Sequence, residues 1–132
     1  MRKGAFKAIF RCPIANNVMT MYKMPHPDAS VLGGIATLPK LSPMNEQHEN
    51  AAYISEISQT LKTWDIPVLV CFSGKDLAFK PDVGRAIAAM VPNGRFHLIE
   101  GPWHFLQEDA GEEIAEHIIP FLKDEAKLIQ AQ

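Results

Sequence analysis

The sequence predicts an α/β fold in which two parallel strands are flanked by helices. Residues 66–72 form a nearly continuous apolar run, which is typical of a parallel strand covered on both faces. Residues 95–99 have the composition of a second strand, and a helical stripe that begins at Pro81 lies between the two runs. Strand–helix–strand units of this kind are parallel and right-handed in nearly all proteins, so we expect a parallel pair here.

Size and charge limit the classes of function. The chain has 132 residues and a formal net charge of −2, which fits one globular domain of ordinary composition. No strongly basic segment is present, so we expect no nucleic-acid partner.

The cysteines and the apolar runs indicate the compartment. Cys12 and Cys71 lie far apart, and the second falls inside a strand, so we expect two buried free thiols and a reducing environment. The longest apolar run is too short to span a bilayer, and the N-terminus lacks the apolar region of a secretory signal. We therefore expect a cytoplasmic protein without a membrane partner.

Residues 1–44 predict short helices joined by proline turns, with apolar clusters that begin at Phe6, Ile9 and Phe10. No helix here should exceed about ten to twelve residues, because each proline disfavours helix at the residue before it. The prolines in question are Pro25, Pro27, Pro39 and Pro43. Such a segment needs another surface to cover, and a lid over a pocket and an ordinary packing layer are equally good interpretations.

Two longer helices are predicted on either side of the strand–helix–strand unit. Residues 45–63 carry apolar side chains at three- and four-residue steps, which indicates an amphipathic helix. The last helix is predicted from about Glu108 to Lys123, with an extension to Ile129 as an alternative. Pro120 should kink this helix or mark a break in it.

Asp76 and His104 are the candidate catalytic residues. Each lies just past a predicted parallel strand, and the carboxyl ends of adjacent parallel strands meet at the edge where α/β proteins build their sites. An aspartate bonded to one imidazole nitrogen fixes the tautomer and stabilises the imidazolium, which leaves the other nitrogen to act as a base. Two alternatives stay open: Asp76 caps a turn only, or Glu100 or Asp82 is the acidic partner.

Several motifs also resemble one family. Residues 73–78 (Ser-Gly-Lys-Asp-Leu-Ala) and residues 97–113, which include His-Phe-Leu-Gln-Glu-Asp, are similar to the C-terminal part of α/β-hydrolases of the haloalkane dehalogenase group. Residues 22–28 and 38–43 resemble the end of the helical cap of that group. The resemblance implies a cap remnant over residues 1–44 and the C-terminal part of the hydrolase core over residues 45–132.

The same resemblance implies a chemistry. Asp76 would be the acid of a catalytic triad, and His104 the base that activates water against an alkyl-enzyme or acyl-enzyme ester. Some relatives take their acid from an earlier strand, in which case Asp76 would be secondary. The implied substrate is a small apolar haloalkane or ester. The candidate pocket residues are Leu77, Phe79, Trp103, Phe105, Phe10 and Leu38.

Metal and cofactor sites are not expected. The remaining histidines lack the spacing of metal ligands, and the glycines are dispersed and do not form a phosphate-binding loop. His97 alternates with apolar residues on a strand and can face either side, whereas His117 is expected in solvent among glutamates. The histidines weighed are His26, His48, His97 and His117.

The chain departs from the family pattern in two respects. A hydrolase of this type needs a nucleophile on a Gly-x-Asp/Ser-x-Gly turn, and neither this pattern nor the His-Gly oxyanion motif occurs here. We therefore expect the chain to be inactive alone and to be marginally stable or oligomeric. The alternative is a non-catalytic remnant that binds itself or a partner through an exposed strand 66–72. A complete small enzyme that uses only Asp76, His104 and water is the third hypothesis.

Overall fold

The computed structural model describes residues 10–130, with side chains described as far as residue 125. Phe6 and Ile9, the first members of the predicted apolar clusters, lie outside the described residues. The described chain forms two compact units, one of residues 14–61 and one of residues 62–130 with residues 10–13. The predicted division between a cap remnant and a core at residue 44 stays a prediction.

The unit of residues 14–61 is made of short helices. They are α1 (Asn16–Lys23), a 3-10 turn (Ala29–Val31), α2 (Gly33–Leu41) and α3 (Ala51–Leu61). Within the described residues 10–44 the longest helix is α2 with 9 residues, so the limit predicted for residues 1–44 is confirmed for that part. The expectation that Pro39 ends a helix was wrong, because it lies inside α2. Pro39 has no N–H group, so α2 loses one backbone hydrogen bond in its last turn. The helix nevertheless continues for two more residues, to Leu41.

Helix α3 begins at Ala51 and not at residue 45 as predicted. Side chains take the backbone donors just before it: Asn45 Oδ1 accepts from the N–H of Gln47 at 3.1 Å, and His48 Nδ1 accepts from the N–H of Asn50 at 3.1 Å. Local bonds of this type compete with helix formation. The polar residues 45–50 therefore form turns, and the helix begins where the apolar residues begin.

The other unit contains the predicted strand–helix–strand arrangement. Its elements are β1 (Val68–Ser73), α4 (Pro81–Met90), β2 (Gly94–Ile99), α5 (Leu106–Asp109) and α6 (Gly111–Gln130). The two strands pair in parallel, with a register that runs from Val68 opposite Gly94 to Ser73 opposite Ile99. The predicted α/β class and the parallel pair are confirmed.

Strand β1 starts two residues later than predicted. Pro67 has no N–H to give to a ladder, and the first ladder donor is the N–H of Val68, which bonds to the carbonyl oxygen of Asn93 at 3.4 Å. Residues 68–72 are half-buried, and only Ser73 at the end of the strand is buried. Helices α4 and α6 both contact this strand, as expected for a strand covered on both faces, but they leave most of its side chains half-buried in the described part of the chain.

Helices α4 and α6 lie on opposite faces of the sheet. Gly84 of α4 is so close to the strands that a Cβ there would lie 2.5 Å from the ring of Phe72 and 2.9 Å from that of Phe96. Side chains alternate along a strand, so His97 points to the other face, where its ring centroid is 3.3 Å from that of His117 on α6. The expectation that His117 lies in solvent was wrong, because its half-buried ring packs on the sheet.

The last predicted helix is two helices. Ala110, at φ −151° and ψ 40°, separates α5 from α6. Helix α6 continues through Pro120 as far as Gln130, so the predicted extension is confirmed and a break at Pro120 is excluded. A kink at Pro120 stays a prediction.

Few side chains of the described part are fully enclosed. The buried apolar residues among them are Phe10, Ala88, Val91 and Ile99. Both cysteines are free, as predicted, but Cys12 is exposed and Cys71 is half-buried, so the expectation of two buried thiols was wrong. Cys71 lies on β1, which is half-covered along most of its length, and burial raises the pKa of its thiol. Among residues 10–130, no helix combines the length and the apolar character needed to cross a bilayer.

Candidate functional site

The loops that follow the two strands are bonded to each other. Ser73, at the end of β1, donates from its hydroxyl to the carbonyl oxygen of Pro102 at 2.5 Å and accepts from the N–H of Lys75 at 3.1 Å. The N–H of Gly74 bonds to the carbonyl oxygen of Ile99 at 2.7 Å. A Cβ on residue 74 would lie 2.9 Å from the backbone of Glu100, so glycine is required for this approach. These bonds hold the two strand ends side by side.

Asp76 and His104 meet at this edge of the sheet. The Asp76 carboxylate is 7% exposed, and its Oδ2 lies 2.9 Å from Nδ1 of His104. Its other oxygen, Oδ1, accepts from the N–H groups of Ala78 at 2.7 Å and Phe79 at 3.2 Å. Asp76 therefore caps its own turn and also bonds to the imidazole. Of the three acidic residues considered as the partner of His104, the geometry favours Asp76 over Glu100 and Asp82.

The surroundings of Asp76 favour its charged form. Burial on its own raises the pKa of the carboxyl group, but the hydrogen bonds from Ala78, His104 and Phe79, together with the charge of a protonated His104, outweigh it. The net effect lowers the pKa of Asp76 below its ordinary value. An ionised Asp76 accepts a hydrogen bond from the Nδ1–H group of His104. The proton is then on Nδ1, which leaves Nε2 as the basic nitrogen of the ring.

Three of the predicted pocket residues surround His104. The Phe79 ring stacks on the imidazole with centroids 5.9 Å apart at 22°, and the Phe105 ring meets it edge-on at 5.5 Å and 77°. Phe10, which is 5% exposed, packs on Phe105 with ring centroids 4.5 Å apart. The His104 side chain is 36% exposed, so it is open to a reactant on one side while aromatic rings cover the other.

The other predicted pocket residues are less well placed. Leu77 is 83% exposed, and Trp103 is half-buried beside His104 in the chain. Leu38 is 66% exposed and belongs to the separate unit of residues 14–61. The roles of all six pocket candidates stay predictions.

Two residues of the site were missed in the sequence. Ser73 and Asp109 lie in the two motifs of residues 73–78 and 97–113, but neither was predicted to have a role of its own. Acidic residues favour the first turn of any helix, so Asp109 already had an ordinary explanation. Its carboxylate instead accepts from backbone N–H groups, including that of Trp103 at 2.9 Å. Nothing in the local sequence distinguishes these two roles.

A metal ion has no obvious place in the described structure. Within residues 10–125, no three His, Cys, Asp or Glu side chains are grouped so that they could hold one.

Several known proteins with similar sequences are named haloalkane dehalogenases. A haloalkane dehalogenase of Mycobacterium marinum is 32% identical over 103 residues, which are 74% of this chain and 33% of the relative. A haloalkane dehalogenase of Psychrobacter cryohalolentis is 29% identical over 129 residues, which are 92% of this chain and 41% of the relative. The chain thus spans between a third and about two fifths of the length of these relatives. No family model matches it.

Solved structures show the same fold. The haloalkane dehalogenase DatA from Agrobacterium tumefaciens superimposes with a TM-score of 0.79 and 21% identity, over 91% of this chain and 42% of its own. A serine hydrolase involved in carbazole degradation, the CarC enzyme, superimposes with a TM-score of 0.60 and 13% identity, over 91% of this chain and 45% of its own. At these identities the likeness defines the fold and carries no statement about activity.

Proposed function

Because this chain has the α/β-hydrolase fold and is related to the haloalkane dehalogenases over part of their length, we propose that it is the part of such a hydrolase that supplies an acid and a base. Asp76 is the acid of the triad and His104 the base. The observation that carries this proposal is the bond of 2.9 Å between His104 Nδ1 and Asp76 Oδ2 at the ends of two adjacent parallel strands. The sequence relationship gives this pair its chemical context.

The proposed step is the hydrolysis of a covalent ester on the nucleophile. His104 Nε2 removes a proton from a water molecule as the water oxygen attacks the ester carbonyl carbon. The bond between the ester carbonyl carbon and the alkoxy oxygen then breaks, and the protonated His104 gives its proton to the departing alkoxide. The product leaves as an alcohol, and the carboxylate nucleophile is restored with one oxygen atom from water. Asp76 holds Nδ1–H and stabilises the imidazolium that forms in between.

The substrate is proposed to be a small apolar molecule with a carbon–halogen or an ester bond. The rings of Phe79, Phe105 and Phe10 form an apolar wall beside His104. An apolar wall favours a haloalkane or an alkyl ester over a charged substrate. The nucleophile must come from outside these 132 residues, since no Gly-x-Asp/Ser-x-Gly turn occurs in them. The chain alone is proposed to be inactive.

Residues 1–44 are proposed to be the remnant of a cap over this site, and residues 45–132 the C-terminal part of the core. The described residues 14–44 belong to a compact unit that also contains α3, whereas residues 10–13 belong to the unit of the sheet, so this division is proposed from the sequence resemblance alone. A cytoplasmic location is part of the same proposal.

A chimera tests the proposed activity. In the Mycobacterium marinum relative, the segment that this chain matches is replaced by the residues of this chain. The chimera keeps the rest of the relative and is assayed for halide release from a short 1-bromoalkane. We expect release from the chimera, none from this chain alone, and a loss of about a hundredfold to ten-thousandfold on His104→Ala, because the base contributes two to four orders of magnitude.

The controls separate catalysis from folding. His117→Ala removes an imidazole from the opposite side of β2 and should leave halide release within about twofold of the parent chimera. A chimera that melts cooperatively but releases no halide, with or without His104, contradicts the proposed function.

A second candidate function is a non-catalytic module that binds itself. The observation that favours it is the number of large apolar side chains that are exposed in the described residues. On the sheet unit these include Ile66, Phe79, Val83, Ile118, Ile119 and Leu122. Exposed apolar side chains in large patches mark interaction surfaces. Among the described residues, the edge of β1 that faces away from β2 has no neighbouring strand, and an edge of this kind can pair with a strand of another chain. Sedimentation of the chain over a tenfold concentration range tests it: a monomer throughout excludes self-association.

A further inference from the structure

Asp109 makes more contacts between separate segments than a helix-opening residue needs. Its carboxylate accepts from the N–H of Arg11 at 3.1 Å through Oδ1 and 3.0 Å through Oδ2, and from the N–H of Cys12 at 3.3 Å. Its Oδ2 also accepts from the N–H of Trp103 at 2.9 Å. One half-buried carboxylate thus binds backbone donors from two segments that are more than 90 residues apart in the chain.

These bonds enclose His104. On one side of the histidine, the N–H of Trp103 bonds to the Asp109 carboxylate. On the other side, the carbonyl oxygen of Phe105 accepts from the N–H of Asp109 itself at 3.1 Å. Both neighbours of His104 are therefore bonded to the same residue, and the segment 103–109 is a closed loop with His104 near its start.

The bonds to residues 11 and 12 add a second restraint. They place Phe10 against the ring of Phe105, the residue that follows His104. The Arg11 side chain also approaches Gly101, which precedes the loop 103–109. A Cβ on Gly101 would lie 2.5 Å from a guanidinium nitrogen of Arg11. One carboxylate thus bonds to the residues that follow Phe10, which packs on Phe105, and to the N–H of Trp103, which precedes His104.

We propose that Asp109 is a positioning residue that holds His104 in its bond to Asp76. Its carboxylate acts through the backbone N–H of Trp103 and through the N–H groups of Arg11 and Cys12, which follow Phe10, and it does not touch the reacting atoms. The inference rests on the proposed function only for its catalytic meaning, since the geometry that it predicts exists with or without activity. Without the Asp109 carboxylate, the loop 103–109 opens and the imidazole samples orientations in which Nδ1 no longer faces Asp76.

The test is the tautomer of His104 in the full chain, read from the ¹⁵N shifts of the neutral imidazole. We expect the unaltered chain to show the Nδ1–H tautomer, because Asp76 accepts a hydrogen bond from Nδ1–H. Asp76→Asn provides the reference for a lost bond. In Asp109→Ala we expect the tautomer mixture to move toward that reference and the Nδ1–H proton to exchange with water about tenfold faster.

Controls distinguish positioning from general stability. Asp65→Asn removes one exposed carboxylate and should match the unaltered chain. Asp109→Asn keeps one acceptor oxygen, so it should give an intermediate tautomer shift and decides the matter if Asp109→Ala does not fold. Lower stability in either variant, with the Nδ1–H tautomer of the unaltered chain retained, overturns the proposal.

A measurement on the unaltered chain does not depend on any variant. The N–H groups of Arg11, Cys12 and Trp103 should be protected from hydrogen exchange by at least about tenfold over an unstructured peptide, because all three are bonded to one carboxylate. Unprotected exchange at Trp103 overturns the inference. None of these readouts uses enzymatic activity, so an inactive chimera with the expected tautomer shift refutes the proposed function alone.

Discussion

Replacement of Asp76 by Asn should destabilise the chain in a manner that depends on pH. The carboxylate is nearly buried and accepts three hydrogen bonds, from Ala78, Phe79 and His104. In Asp76→Asn, the amide oxygen can still accept from the two backbone groups, but the charge is lost and the amide nitrogen cannot accept from His104. Hydrogen bonds to charged groups contribute about 1.5–3 kcal/mol each, so we expect a loss of that size at pH 7.

The pH dependence follows from the lowered pKa of Asp76. A carboxyl group whose pKa is lower in the folded than in the unfolded chain adds stability above its unfolded pKa, which is about 3.9. That stability is lost as the pH falls through the lowered, folded pKa. The difference between the parent and Asp76→Asn should therefore be present at pH 5 to 7 and shrink below about pH 4.

Urea denaturation followed by circular dichroism at a series of pH values measures this difference. Asp65→Asn, at an exposed position, is the matched control and should change the free energy of unfolding by less than about 0.5 kcal/mol. A loss in Asp76→Asn that is the same at pH 3 and pH 7, or no loss at all, would refute the assignment of an ionised, hydrogen-bonded carboxylate.

Three further substitutions test the packing around the site. Gly84→Ala should lower the free energy of unfolding by about 1–2 kcal/mol, because its Cβ would overlap the ring of Phe72 and the cost exceeds the gain of about 1 kcal/mol in helix propensity; Gly111→Ala, which meets nothing within 4 Å, is the control in the same thermal melts. Ser73→Ala leaves the carbonyl oxygen of Pro102 without its donor and should cost about 1–3 kcal/mol in urea denaturation, whereas an unchanged midpoint would contradict the bond. Phe10→Ala should cost about 3–5 kcal/mol, and a smaller change than about 1 kcal/mol would show that residues 10–12 are not packed on the loop.

The sequence was sufficient to predict the sheet and the meeting of Asp76 with His104. A continuous apolar run with a helical stripe after it has few structural solutions, and parallel strands bring their carboxyl ends to one edge. Residues that directly follow two adjacent parallel strands therefore lie close together. This can be predicted without knowledge of their side-chain conformations. The choice of Asp76 over Glu100 or Asp82 needed the turn at Asp76, where Ala78 and Phe79 direct one oxygen and leave the other to His104.

The features that were mispredicted depend on contacts between distant segments. Whether His97 faces α4 or α6 is set by the register of β2, which the alternation of Phe96, His97 and Leu98 does not fix. Its contact with His117 followed from that register, and so did the error of placing His117 in solvent. The helix periodicity likewise continued across Ala110, although the backbone breaks there.

Asp109 shows why the site was only partly predictable. Its bonds to Arg11 and Cys12 join residues 97 and more positions apart, and no local pattern announces them. An aspartate near a helix start is common, and its ordinary role is electrostatic. Only the closure of the loop 103–109 gives this carboxylate its relation to His104.

The most direct test of the Asp76–His104 pair as catalytic machinery is the intact mass of the chimera after it is mixed with a 1-bromoalkane. With His104→Gln, water is not activated, so we expect the protein to gain the mass of one alkyl group while halide is released once per molecule. The parent chimera should release halide repeatedly and show no lasting adduct. A chimera with His104→Gln that folds, releases halide repeatedly and carries no adduct would contradict the role of His104 as the base.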